Sequence, residues 1–197
     1  MIAEAEFPGL MQHDPSSFPS PGVAPVAGHR EVGAPVVSAS VADWSRERKS
    51  FWSWHPSRSL LASLRAYERA SGGHSIGAAV SRGLAVLRHR FWSIVTGADI
   101  PLGCRLGGGL LLPHPNGVVI HPKAEIGPNC LLFQQVTLAE VGGAAPRLGG
   151  HVDVGAGAKI LGGIVVGDDA LIGANAVVLQ DVPAGATAVG IPARILR

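Results

Sequence analysis

An aliphatic residue returns every six positions through the second half of the chain, and small residues, often glycine, usually follow it. This spacing matches neither the helical period of about 3.6 residues nor the two-residue alternation of a strand. It is typical of a parallel β-helix, in which each block of six builds one short face and three blocks complete one coil. The recurrent positions, which we expect to point into the core, are Ile100, Leu106, Leu112, Val118, Ile120, Ile126, Leu132, Leu138, Leu148, Val154, Ile160, Val166, Ile172 and Val178.

The repeat is interrupted at two places. Val118 and Ile120 stand only two residues apart, directly after the segment PHPNG at residues 113–117, and Leu138 and Leu148 stand ten residues apart. A regular prism has flat faces, so a pocket requires an insertion, and loops on a rigid scaffold often carry function. We therefore expect the functional residues near residues 113–117 and near the inserted segment 139–147.

The first half of the chain has a different character. Residues 1–42 mix six prolines with Ser, Gly, Ala and Val and show no sustained period, which predicts a disordered arm. Residues 43–98 predict a short helical segment. Its first helix is expected to begin at Pro56 and end at Gly72, and its second to run from about Ser75 to Val95 and end at Gly97.

Each predicted helix carries an apolar stripe at helical spacing. The stripes are Leu60, Leu61, Leu64 and Tyr67 on the first helix, and Ile76, Val80, Leu84, Leu87, Phe91 and Ile94 on the second. Two short helices cannot bury such stripes alone. We expect them to pack on each other, on the solenoid or on another subunit.

Composition narrows the function classes. The chain has 197 residues with 27 glycines and only 5% aromatic residues, which suits a solenoid filled by small aliphatic side chains. A formal net charge of +2 does not call for nucleic acid as a partner, and no apolar run is long enough for a membrane span. The two cysteines fit a reduced, cytoplasmic protein better than a disulfide framework. None of the eight histidines shows a metal-ligand spacing, so no metal is expected.

Residues 99–197 carry a sequence resemblance. The segments DIPLGCRLGGGLLLPHPNGVVI, FQQVTL, VGAGAKILGGIVVGDDALIGANAVVL and VGIPARI resemble, in the same order and spacing, the serine acetyltransferases among the hexapeptide-repeat acyltransferases. Acetyltransferases found with polysaccharide assembly, of the colanic-acid type, are also similar. The resemblance implies a mainly β fold, a left-handed parallel β-helix over residues 99–197, preceded by a short α-helical segment. It further implies acetyl-CoA as donor, a hydroxyl as acceptor, and homotrimers or dimers of trimers with active sites between neighbouring coils.

Acetyl transfer from a thioester to a hydroxyl needs a base, a group that holds the carbonyl oxygen, and alignment of the two reactants. His114 lies in the PHPNG segment, away from the core-facing phase, and an imidazole suits the role of base. Judged by its residues alone, His114 is equally a loop histidine packed under its flanking prolines. The resemblance, in which a histidine occupies this place, favours the catalytic interpretation. It also aligns Asp99 with the carboxylate that orients the base; otherwise Asp99 simply begins the first coil.

The resemblance also implies a binding site for the pantetheine arm of coenzyme A. The small residues at the corresponding positions are Gly155, Ala156, Gly162, Gly173 and Ala174. Corner geometry also requires small residues, and both explanations can hold. Lys159, Arg194 and Arg197 are candidates for the nucleotide phosphates, Arg197 by charge alone.

The acceptor site departs from the serine enzymes. They place an aspartate directly before the catalytic histidine, where this chain has Pro113, and an Arg-His-Pro where it has Ala144, Ala145 and Pro146. Arg147 is a candidate for the missing cation. His151 comes after the long insertion and is expected to face outward beside Asp153. Its default interpretation is a surface histidine, and the alternative is a second candidate for the substrate side.

Three functions are compatible with these residues. The first is L-serine O-acetylation in cysteine biosynthesis. The second is acetylation of a sugar hydroxyl in exopolysaccharide biosynthesis. The third is a non-catalytic solenoid used for assembly, which the presence of His114 and Asp99 disfavours.

Overall fold

A computed structural model describes residues 37–50 and 52–196 of the chain. The predicted arm of residues 1–42 lies largely outside these ranges, as do Phe51 and Arg197. Both predicted helices and the whole of the six-residue repeat lie inside them.

Short strands of two or three residues stack into three sheets, which form the faces of a prism. The first face holds β1 (Arg105–Leu106), β3 (Glu125–Ile126), β6 (Arg147–Leu148) and β9 (Val165–Val166). The second face holds β4 (Leu131–Leu132), β7 (Asp153–Val154), β10 (Leu171–Ile172), β12 (Thr187–Val189) and β13 (Arg194–Leu196). The third face holds β2 (Val119–Ile120), β5 (Thr137–Ala139), β8 (Lys159–Leu161) and β11 (Val177–Val178). All neighbours pair in parallel except β12 and β13.

The hexad rhythm becomes a column of core residues because each coil places the same position above the one before. On the first face, for example, Leu106 lies over Ile126, which lies over Leu148. Every one of the predicted core positions is buried, which confirms the interpretation of the repeat. The two cysteines, Cys104 and Cys130, are free and buried in the same core, and burial raises the pKa of each thiol to about 11.

The departure from the hexad phase after Val178 does not end the solenoid. Val182 still forms a parallel bridge with Val166, and β12 still pairs with β10 through Ile172 and Ala188. The final coil is two residues shorter than the coil before it, so the sequence period breaks while the stacking continues. β13 then returns antiparallel and closes that end of the second face.

Two helices precede the solenoid and agree with the predicted bounds to within a residue: α1 (Pro56–Ser71) and α2 (Ile76–Thr96). Ser75 caps α2 by accepting a hydrogen bond from the amide of Ala78. Gly97 ends α2 in the left-handed region at φ 65°, a conformation that a residue with a Cβ adopts at a cost.

A buried arginine fastens α1 to the first coil. Arg65 donates to the carbonyl oxygens of Leu106 at 2.7 Å and Gly107 at 2.6 Å, and its Nη2 lies 2.9 Å from Glu47 Oε1. Glu47 belongs to a 3-10 helix, Trp44–Glu47, whose Trp44 ring lies 5.2 Å from the Arg65 guanidinium. Burial alone lowers the pKa of Arg65, but its bonds with Glu47 and Glu68 outweigh burial and raise that pKa.

The apolar stripe of α2 is exposed, unlike that of α1. Leu60, Leu61 and Leu64 of α1 are buried in the core as predicted. The two helices pack on each other, as one of the three alternatives predicted, but the α2 stripe itself faces outward. Of the neighbouring tryptophans, Trp44 lies against Gly108 and is about half exposed, whereas Trp52 and Trp54 are more exposed.

Candidate active site

Three edges join the faces of the prism, and the predicted site residues distribute over them. We call residues 113–118, 133–136, 155–158 and 173–176, between the second and third faces, the histidine edge. We call residues 121–124, 139–146 and 161–164, between the third and first faces, the insertion edge. The far edge, between the first and second faces, consists of residues 107–110, 127–130, 149–152 and 167–170.

His114 lies on a loop of the histidine edge that is held from two sides. Below it, the amide of Gly117 donates to the carbonyl oxygen of Gly97 at 2.9 Å. Above it, the amide of Gln135 donates to the carbonyl oxygen of Asn116, also at 2.9 Å. The loop therefore rests between the end of α2 and the next coil. The imidazole itself is exposed to solvent.

Asp99 lies next to the return of this loop into the third face. Its amide donates to the carbonyl oxygen of Val118 at 2.8 Å, and its own carbonyl accepts from Ile120 at 2.9 Å. The backbone thus places Asp99 beside Val119, five residues after His114. Within residues 37–50 and 52–196, no hydrogen bond or ion pair joins the Asp99 carboxylate to the His114 ring. The dyad stays a prediction.

Four of the five small residues assigned to the pantetheine arm lie on the histidine edge, above the His114 loop: Gly155, Ala156, Gly173 and Ala174. Close packing requires at least two of them to lack a side chain. A Cβ added to Gly155 would lie 2.6 Å from the amide nitrogen of Ala174, and one added to Gly173 would lie 2.8 Å from Val189 Cγ1. The packing explanation for small residues is therefore sufficient here, and a binding role is compatible with it.

Lys159 lies on the third face, in one outward column with Asp99. The members of the column, joined coil by coil, are Asp99, Val119, Thr137, Lys159 and Val177. The ammonium of Lys159 donates to the carbonyl oxygen of Gln135 at 2.5 Å. A cation is therefore held beside the histidine edge, one coil beyond the level of Gln135.

The longer segment between Leu138 and Leu148 forms a small β-hairpin on the insertion edge. Val141 and Ala144 pair across Gly142 and Gly143, both of which have positive φ, as a tight two-residue turn requires. The base of the insertion is tied down by Glu140, whose Oε2 lies 2.8 Å from the ammonium of Lys123. The hydrogen bond from Lys123 lowers the pKa of Glu140, so this tie is present at neutral pH.

A cleft of about 590 Å³ lies between this insertion and the first face. Arg147 of β6 lines it, exposed, with its Nε 3.8 Å from Glu125 Oε2. Glu125 also forms an ion pair with Arg105, so the two arginines share one carboxylate. Gly162 lies near this cleft, where its amide donates to the carbonyl oxygen of Ala139 at 2.9 Å.

The remaining two predicted residues lie elsewhere. His151 is on the far edge, where its Nδ1 lies 2.7 Å from Asp169 Oδ1. Arg194 lies exposed on β13 at the end of the second face. Within one chain, neither Arg147 nor His151 comes to the edge that carries His114.

Sequence reasoning missed Gln134. Its side-chain oxygen is buried on the histidine edge and has no hydrogen-bond partner among the described residues. Gln134 stands at a corner position where the two later coils place Ala156 and Ala174, and this departure was the available signal. A buried polar atom without a protein partner is uncommon in native proteins, so this oxygen is a candidate to contact a bound water or ligand.

Neither a metal cluster nor a membrane-crossing helix occurs in the described ranges. No group of three or more His, Cys, Asp or Glu side chains in residues 37–50 and 52–196 has the arrangement of a metal site. In the same part of the chain, no helix has both the length and the apolar character that crossing a membrane requires.

Known proteins are similar to this chain, although no family model matches it. A serine acetyltransferase of Synechococcus elongatus is 47% identical over 107 residues, 52% of this chain and 44% of that protein. A probable serine acetyltransferase of rice, Oryza sativa subsp. japonica, is 38% identical over 178 residues, 88% of this chain and 58% of that protein.

Solved structures give the same result. The structure of a serine acetyltransferase in complex with CoA superposes with a TM-score of 0.62 at 34% identity, over 73% of this chain and 58% of that one. The chain thus spans about half the length of the relatives it matches. The resemblance read from the sequence motifs is confirmed, and so is the fold class, a left-handed parallel β-helix preceded by helices.

Proposed function

We propose that this chain, a relative of the serine acetyltransferases, transfers the acetyl group of acetyl-CoA to the hydroxyl of L-serine. The product is O-acetyl-L-serine, a precursor for cysteine biosynthesis. The observation that supports the reaction is the position of His114: an exposed imidazole on a loop held between Gly97 and Gln135, at the first interruption of an otherwise regular solenoid. The relatives, named as serine acetyltransferases, support serine as the acceptor.

In this reaction His114 accepts the proton of the serine hydroxyl while the hydroxyl oxygen attacks the thioester carbonyl carbon. The carbon–sulfur bond then breaks, the acetyl ester forms, and the departing sulfur of coenzyme A takes the proton from the imidazolium. Asp99 is the group placed to orient the ring and stabilise its cationic form. Its backbone is fixed beside Val119, and the side chains of Asp99 and His114 are both exposed.

Acetyl-CoA is the co-substrate of this proposal. Its pantetheine arm lies along the histidine edge, where the small side chains of Ala156 and Ala174 allow close approach to the backbone. Lys159, and Arg194 beyond it, supply positive charge for the nucleotide phosphates. No metal takes part in the proposed reaction.

The active unit that we propose is a homotrimer, or a pair of trimers. Within one chain, Arg147 and the insertion lie on a different edge from His114. When a neighbouring copy sets its insertion edge against the histidine edge, all of these groups border one cleft. Two free, buried thiols support the reducing environment of the cytoplasm as its location.

A sugar hydroxyl is the alternative acceptor, and a specific observation favours it. A serine zwitterion needs a paired anion and cation once it is desolvated. The positions that would supply them hold Pro113, Ala144 and Ala145, and Arg147 already shares Glu125 with Arg105. A neutral sugar makes no such demand.

The test of the base is His114→Ala, compared with His74→Ala, which removes an exposed imidazole between the two helices. Loss of the base is expected to lower kcat by about 10²–10⁴, because general-base catalysis contributes on that scale. Release of free thiol from acetyl-CoA is the measurement, and circular dichroism checks the fold. Turnover retained by His114→Ala, at the rate of His74→Ala, would refute the role of His114.

The same thiol assay separates the acceptors. L-serine is supplied first, and neutral and acidic sugars afterwards, each with acetyl-CoA. Thiol release with L-serine supports the serine assignment. If release occurs with a sugar and none occurs with serine near saturation, acetyl transfer stands and the acceptor is a sugar hydroxyl.

A further inference from the structure

The outward stripe of α2 is a large exposed apolar surface in the described part of the chain. Ile76 is 86% exposed, Ile94 82% and Leu87 65%, although side chains of this kind are usually buried. The full stripe consists of Ile76, Val80, Leu84, Leu87, Phe91 and Ile94. It runs the whole helix, a length of about 30 Å. Continuous patches of this kind mark sites of interaction.

The helix cannot rotate to bury this stripe, because the opposite side of α2 contacts the solenoid. Ala85 is buried where α2 approaches the rest of the protein. His89 Nε2 lies 2.8 Å from the carbonyl oxygen of Ile100, and Thr96 is buried on the same side of the helix. These contacts fix which side of α2 faces the solenoid, and they leave the apolar side outward.

Positive charge borders the stripe on both sides. At about 100° per residue, exposed Arg88 and Arg90 lie roughly 80° to either side of the centre of the stripe. Ile76–Thr96 contains no aspartate or glutamate. Arginine stems can cover apolar surface while their guanidinium groups reach outward to a polar boundary.

Aromatic rings extend the apolar surface near the C-terminal part of α2. The Trp92 ring lies 5.0 Å from Phe91 and 5.5 Å from the exposed Trp54, both in edge-on contact. Tryptophan is favoured where one side of a ring meets an apolar medium and the other meets water. The surface thus combines an apolar stripe, cationic borders and an aromatic end.

We propose that this surface of α2 binds the headgroup region of an anionic lipid bilayer, with the helix lying in the plane of the membrane. The charge pattern favours this partner over a second copy that docks through its own α2. Two copies meeting through α2 would bring Arg88 and Arg90 against a helix that offers no carboxylate, whereas lipid phosphates pair with both arginines. This inference does not rest on the acetyl-transfer reaction.

The test uses the full chain and vesicles of phosphatidylcholine, either alone or mixed with phosphatidylglycerol, at physiological ionic strength. The wild-type protein is expected to sediment with the mixed vesicles and to remain in solution with phosphatidylcholine alone. Leu87→Glu should weaken vesicle binding roughly tenfold or more, because it sets a charge in the apolar stripe. Arg88→Gln combined with Arg90→Gln should also weaken binding roughly tenfold or more.

The matched control is Leu179→Glu, which places the same charge at a solenoid leucine that is 58% exposed and should leave vesicle binding unchanged. Absence of wild-type binding to the mixed vesicles would overturn the proposal, as would an equal loss in the control. Sedimentation velocity tests the rival partner. If Leu87→Glu dissociates an oligomer and the wild type ignores vesicles, the stripe is a contact between copies and the membrane proposal is wrong.

Discussion

The helices α1 and α2 have similar apolar stripes, but one stripe is buried and the other is exposed. α1 buries Leu60, Leu61 and Leu64 in the solenoid core, whereas α2 turns its own stripe outward and directs Ala85, His89 and Thr96 inward. The helices differ in their polar partners rather than in their periodicity. A stripe shows which side of a helix is apolar, but the surface that covers this side is decided elsewhere.

The polar partners also explain why α1 is the helix that packs its apolar stripe on the solenoid. Arg65 brings a guanidinium to two carbonyl oxygens of the first coil, at Leu106 and Gly107, and Glu47 balances its charge. The arginines that border the stripe of α2 have no equivalent role. A buried cation with satisfied hydrogen bonds therefore specifies the orientation of α1, while α2 is held by its small and polar side.

Among the substitutions that test this difference between the helices, Arg65→Ala is expected to have the largest effect on stability. It removes the cation from a carboxylate whose side chain is only 9% exposed, and the free energy of unfolding should fall by about 3–5 kcal/mol. Arg88→Ala, the matched change on α2, should alter it by less than about 0.5 kcal/mol. Urea denaturation followed by circular dichroism measures both. Equal effects would show that Arg65 does not anchor α1.

A pair of leucine truncations tests the stripes themselves. Leu60 is fully buried, so Leu60→Ala should lower the free energy of unfolding by about 2–5 kcal/mol through lost burial and a cavity. Leu87→Ala removes the same atoms from an exposed position and should cost less than about 0.5 kcal/mol. Urea midpoints of the two variants give the comparison. A large loss in Leu87→Ala would mean that the outward stripe is covered in solution.

Substitutions at the N-terminal caps of the two helices are expected to change stability least. Ser75 accepts the amide of Ala78 at 3.1 Å, so Ser75→Ala should cost about 1 kcal/mol. His55 occupies the matching position of α1 and makes no side-chain capping bond, so His55→Ala should be nearly neutral. Thermal midpoints of the two variants test this difference. If they shift equally, the Ser75 cap does not stabilise α2.

The solenoid was predictable at the level of single residues, and the site was predictable only in part. Every hexad position from Ile100 to Val178 is buried because a six-residue period admits one arrangement of faces. The PHPNG loop was found from its break in that period. Gln134 was missed, since its importance lies in a buried oxygen without a partner among the described residues, which is a property of packing and not of spacing.

The sequence pattern also did not predict that the two candidate substrate residues lie on different parts of the prism. Arg147 and His151 are only four residues apart, yet a corner intervenes and puts them on different parts of the prism. The partner of His151 is Asp169 from the next coil, because stacking brings residues of successive coils together. Neighbours along the chain, such as Asp153, are carried to another face.

By itself, the sequence determined the elements: a six-residue rhythm that can bury its aliphatic positions only as a prism, and helix bounds set by Pro56, Ser75 and Gly97. These are local properties, governed by backbone geometry and by the period of the side chains. The tertiary structure alone decided which helix face meets the solenoid and which side chains of successive coils become partners. The reason is that such choices depend on contacts between residues far apart in the chain, including the bonds of Arg65 to the first coil.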